Sequence, residues 1–91
     1  MVIETYRIAK DGKLSALVWM EHNSVFIKEE NKPEQKVIEN ADKVSVFVYV
    51  KNYCDMHNST EIGKISLDKE DLKDFFERVN SKPNYKIKYK I

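Results

Sequence analysis

The stretch Lys43-Val44-Ser45-Val46-Phe47-Val48-Tyr49-Val50 decides how the chain is read. β-Branched and aromatic residues fill it, and neither Gly nor Pro interrupts it. Eight residues of this kind match a strand and are short for a helix. As a strand it is apolar on both faces. Val44, Val46, Val48 and Val50 would line one, and Phe47 and Tyr49, with small Ser45, the other. Such a strand belongs mid-sheet, with a layer on either side.

Working outward, 91 residues make one domain, residues 1–91, with no room for a second core. A hydrophobic fraction of 42% beside 34% charged residues describes an ordinary globular chain. The single Cys excludes an internal disulfide. No stretch reads as a signal peptide or membrane span, so a cytoplasmic location is expected. The net charge of +1 does not by itself imply nucleic acid or membrane. Arg7 and Arg78 are the only arginines, which weakens a sequence-specific DNA reading. The Lys, Asn and Ile bias would suit an A+T-rich genome, including a phage or mobile element.

Before the central stretch, Val2–Ile8 reads as a strand, and Asp11-Gly12 is a strong hairpin signal. Leu14–Met20 is its partner, with Leu14, Ala16, Val18 and Met20 on one face and Ser15, Leu17 and Trp19 on the other. His22-Asn23-Ser24 turns the chain into Val25–Lys28, completing a meander. Glu29 to Lys36 is polar, contains Pro33 and reads as a loop. Val37–Glu39 is a short strand, closed by a turn at Asn40-Ala41-Asp42.

After it, Asn52 to Thr60 reads as a loop and Ile62–Leu67 as a strand, with Gly63 marking a bulge or close approach. Asp68 is then a helix cap with Asp71 three residues on, and Leu67 and Leu72 are spaced as a hydrophobic staple. Leu72, Phe75, Phe76 and Val79 form one apolar stripe. Asn80 suits the end of that helix and Pro83 forbids its continuation. Tyr85–Ile91 alternates as a final strand with Lys86, Lys88 and Lys90 outward.

Chemical signals are sparse. Cys54 and His57 are three apart, and His22 is the only other histidine. A structural zinc site wants four such ligands, so no metal and no cofactor is expected. A lone Cys is more often an inert small hydrophobe than a nucleophile. Asn58-Ser59-Thr60 matches a glycosylation sequon but reads as a turn. Gly12 and Gly63 stand alone, so no phosphate-cradling loop is present, and the chain does not read as an enzyme.

The expected architecture is α+β: an antiparallel sheet of five to six strands, one C-terminal helix on one face, then a last strand. The RNA-recognition order βαββαβ is not matched. One helix cannot cover so wide a sheet, which would leave Trp19, Leu17, Phe47 and Tyr49 as candidates for an open apolar face. The expected function is a small, non-catalytic protein-binding module acting as an inhibitor or adaptor by occupying a partner surface. Trp19, Phe47 and Tyr49 are its candidate contacts, beside an acidic helix stripe of Glu70, Asp74 and Glu77. A homodimer through the sheet face or an edge strand is one way to cover the exposed surface. The alternative is single-stranded nucleic acid bound by sheet aromatics with Lys86, Lys88 and Lys90, although the last strand's Tyr and Lys point to opposite faces.

Overall fold

The computed structural model describes residues 2–80. The chain runs β1 (Val2–Lys10), β2 (Lys13–Glu21), β3 (Ser24–Glu29), β4 (Gln35–Ile38), α1 (Lys43–His57), β5 (Thr60–Asp68), a single 3₁₀ turn (Lys69–Asp71) and α2 (Leu72–Asn80). The five strands form one sheet in the order β4-β3-β2-β1-β5, antiparallel throughout. The α+β class is therefore as read from the sequence, and the five antiparallel strands fall within the expected five to six. The expected final strand at Tyr85–Ile91 lies outside the described residues.

Both hairpins of the meander turn where the sequence places them. Asp11 and Gly12 have φ of 54° and 78°, and His22 and Asn23 have 49° and 62°, the left-handed pairs that two-residue turns between twisted strands require. Gly63 sits at a register break between β1 and β5, with φ of 105°. A Cβ there would lie 3.4 Å from the Arg7 guanidinium, so both the bulge and the close approach are present.

The central reading is corrected. Lys43–Val50 is not a strand but the first half of α1, which continues to His57 through most of the expected loop. Asp42 caps it: the Ser45 N–H donates to Asp42 Oδ1 at 2.9 Å, and Ser45 Oγ accepts from the Asp42 N–H. At the other end Asn58 is left-handed (φ 52°) and its N–H donates to the Cys54 carbonyl. The four valines cost about 2 kcal/mol in helix propensity. Complete burial of Val46 and Val50 offsets this by roughly 1.5–3 kcal/mol each. They pack with half-buried Tyr49, Tyr53 and Cys54 against Ile8, Val18, Val25 and Ile27. Packing wins over propensity.

The expectation of one helix and an open sheet face is corrected with it: among the described residues there are two α-helices, and each covers one face. The opposite core holds Ile3, Leu14, Leu17, Trp19 and Leu67 under the expected stripe of α2, with Leu72 and Phe76 buried and Phe75 and Val79 half-buried. Leu14 belongs to this face rather than with Ala16, because Ser15 is an extra residue in the β1–β2 ladder. Its hydroxyl donates to the Ile8 carbonyl, and the slip turns Leu14 over.

α2 is held at both ends. Asp68 has the extended backbone of a cap, but its side chain makes no capping hydrogen bond to the turn that follows. Glu21 does the anchoring instead. It accepts from Trp19 Nε1 at 2.8 Å and pairs with Lys69 Nζ at 2.8 Å. At the far end Asn80 reads β2 like a neighbouring strand, accepting from the Leu14 N–H and donating to the Leu14 carbonyl. Burial alone would raise the Glu21 carboxyl, but the bonds from Lys69 and Trp19 outweigh it and hold the group below the usual carboxylate range.

Two outcomes follow from this layering. Trp19→Ala should cost about 3–5 kcal/mol in urea denaturation, whereas Phe47→Ala on the outer face of α1 should stay within about 0.5 kcal/mol. A carboxyl lowered in the folded state stabilises above its unfolded value of about 4.3 and loses that contribution as the pH falls through the folded one. The denaturation midpoint should fall with acidification in that window, and Glu21→Gln should flatten the slope there.

Candidate interaction surface

The sheet offers no open face, so the surface chemistry of the described residues lies on the helices and sheet edges. On α1 the inward positions are filled by Val46, Tyr49, Val50, Tyr53 and Cys54. Its outward positions are apolar too: Val44 is 67% exposed, Phe47 51% and Val48 47%. At i, i+3 and i+4 these three lie side by side, and exposed Lys51 continues the row at i+7. This explains why the stretch looks apolar on both faces. One set of valines enters the core and the other faces solvent.

The remaining candidates scatter. Trp19 is fully buried beneath α2 and stacks on Phe26 with ring centroids 5.8 Å apart. Tyr49 lies half-buried on the inner side of α1, and burial, then the nearby Glu29 charge, pushes its hydroxyl up. Phe47 alone of the three presents half its surface to solvent. A stacking platform of Trp19, Phe47 and Tyr49 is therefore not formed, because the first lies across the sheet from the other two. Glu70, Asp74 and Glu77 are exposed around α2, on the face opposite α1. Lys86, Lys88 and Lys90 lie outside the described residues.

The Cys and His residues do not converge. His22 sits in the turn near the N-terminal end of α1, beside Lys43 and Val46, whereas Cys54 and His57 belong to its last turn. The intervening helix puts roughly 20 Å between the two ends. No group of three or more His, Cys, Asp or Glu side chains that could hold a metal occurs among the described residues. His57 stacks on Tyr53 with centroids 4.2 Å apart, and Tyr53 donates to Glu29 Oε2 at 2.8 Å. Burial first, then the bond to Glu29, raises the Tyr53 hydroxyl far above its usual value. Burial, then the charges of Glu61 and Asp55, also raises the Cys54 thiol.

No protein-family model matches the chain, and no curated protein or solved structure matches it either. No helix among the described residues is long and apolar enough to cross a membrane.

Sequence reading picked out Phe47 but missed its neighbours. Read as a strand, the stretch sets Val44 and Val48 on the same face as Val46 and Val50. The capping pair Asp42 and Ser45, and the helical spacing of Val46, Val50, Tyr53, Cys54 and His57, carry the signal that reverses the assignment. A raised, half-buried thiol is a poor nucleophile. Iodoacetamide at neutral pH should label Cys54 about tenfold more slowly than in the urea-unfolded chain, followed by mass spectrometry.

Proposed function

We propose that this chain is a small non-catalytic protein-binding module, an adaptor or inhibitor that inserts the outer face of α1 into an apolar groove of another protein. The observation that supports it is the row Val44, Phe47 and Val48, large apolar side chains about half or more exposed on a helix whose inner face is already packed. Anchors at i, i+3 and i+4 are the spacing of helix-in-groove recognition. Lys51, exposed at the end of the same row, favours a groove with an acidic rim. The aromatic anchor is Phe47, and rigid aromatics carry a disproportionate share of interface energy. The acidic residues of α2 point the other way and would stay outside such a contact.

A photo-crosslinking amino acid at Val48 should give one discrete adduct in a cell extract, and the same group at Glu77 on α2 should not. Phe47→Asp should abolish that adduct while leaving the urea midpoint nearly unchanged. Light scattering on the pure protein separates the remaining case. A mass of two chains that falls to one in Phe47→Asp assigns the face to a second copy, and equal crosslinking from both positions overturns the reading.

A further inference from the structure

Where α1 begins, its first turn stands over the sheet and leaves a cleft of about 440 Å³. The cleft lies within the size range of small-molecule sites. Its walls come from β1, β2, β5, the His22-Asn23 turn and the start of α1. The geometry is fixed by the backbone, since the Ala41 N–H donates to the Asn23 carbonyl at 2.7 Å and ties the helix entry to that turn. The floor is apolar: the Tyr6 ring, the Met20 thioether and Val46.

The polar rim is unevenly satisfied. Glu4 is paired with Lys64 at 2.7 Å, and that bond holds the carboxyl below and the ammonium above their usual values. Lys64 also lies 5.5 Å from the centre of the Tyr6 ring. The Lys43 ammonium and the His22 imidazole, by contrast, border the cleft without a hydrogen bond or ion pair among the described residues, and Glu4 and Glu21 attract them only at longer range. One carboxylate therefore faces two lysines and a histidine, and the acid is already neutralised. A rim with spare donors over a floor that includes an aromatic ring is complementary to a planar apolar body that carries negative charge.

We infer that this cleft binds a small aromatic anion, its ring laid on Tyr6 and Met20 and its carboxylate or phosphate held by Lys43 and His22. This site is separate from the outer row of α1, because Val46 points in where Val44, Phe47 and Val48 point out. Binding at one face therefore does not presuppose binding at the other.

The test is a titration of the isotope-labelled full chain with 2-naphthoate, 2-naphthyl phosphate and uncharged 2-naphthamide, followed by amide NMR. At least one anion should cause saturable shifts at Tyr6, Met20, Asn23 and Val46. The neutral amide should bind about tenfold more weakly. The double variant Lys43→Gln/His22→Asn keeps a residue suited to the left-handed turn and should weaken the anion about tenfold. Preference for one anion over the other identifies the charged group. Absence of saturable shifts at millimolar probe, equal binding of 2-naphthamide, or shifts confined to Val44, Phe47 and Val48 would overturn the inference.

Discussion

The connection from β4 to β5 constrains everything else in this molecule. The two strands lie at opposite edges of the sheet and, by the antiparallel pairings between them, run parallel. The chain must therefore cross the whole sheet, about 19 Å at ordinary strand spacing. A parallel return must also run back along the strands, and a 15-residue helix, about 22 Å long, supplies that length over the sheet face. No strand could make that crossing, because it would leave its own ladder groups unpaired over an apolar surface. The segment from Asp42 to Asn58 is thus helical for a topological reason, and the apolar content that resembles a strand serves as the underside of a bridge.

Once α1 crosses one face and α2 the other, β2 is buried on both sides, with Ala16 and Val18 facing α1 and Leu17 and Trp19 facing α2. A chain of this length rarely builds two cores. It does so here by making the sheet itself the shared wall. Thr5 is fully buried within that wall, and its hydroxyl reaches the Ile3 carbonyl. Glu21 and Asn80 are the polar counterparts of this economy. Each joins α2 to β2 through fully satisfied groups, so the polar contacts fix orientation while the apolar ones supply the drive.

This layering moves the surface available to a partner. With the sheet enclosed, the exposed large apolar side chains among the described residues are Val44, Phe47, Val48 and Met56 on α1 and Val2 on β1, and the acidic residues sit around α2 on the far side. The two helix faces therefore differ in chemistry as well as position, one suited to desolvation and one to long-range attraction. The cleft at the head of α1 is distinct from both. It combines an apolar floor with cationic donors, the combination that favours orientation of a small ligand rather than a protein surface.

The parts of the fold legible in the amino-acid order are those set by local chemistry. Asp11-Gly12 and His22-Asn23 specify tight turns because few other pairs tolerate left-handed backbone, and Gly63 announces a bulge for the same reason. The stripe from Leu72 to Val79 states its own period. What only the tertiary structure decided is the state of Lys43–Val50 and hence which side chains meet solvent. Val, Phe and Tyr favour a strand by a few tenths of a kcal/mol each, a preference that a crossing requirement and two buried valines readily reverse. Likewise, Leu14 changed faces through one extra residue at Ser15, and Trp19 went from surface candidate to core because burial is a property of neighbours, not of the residue itself.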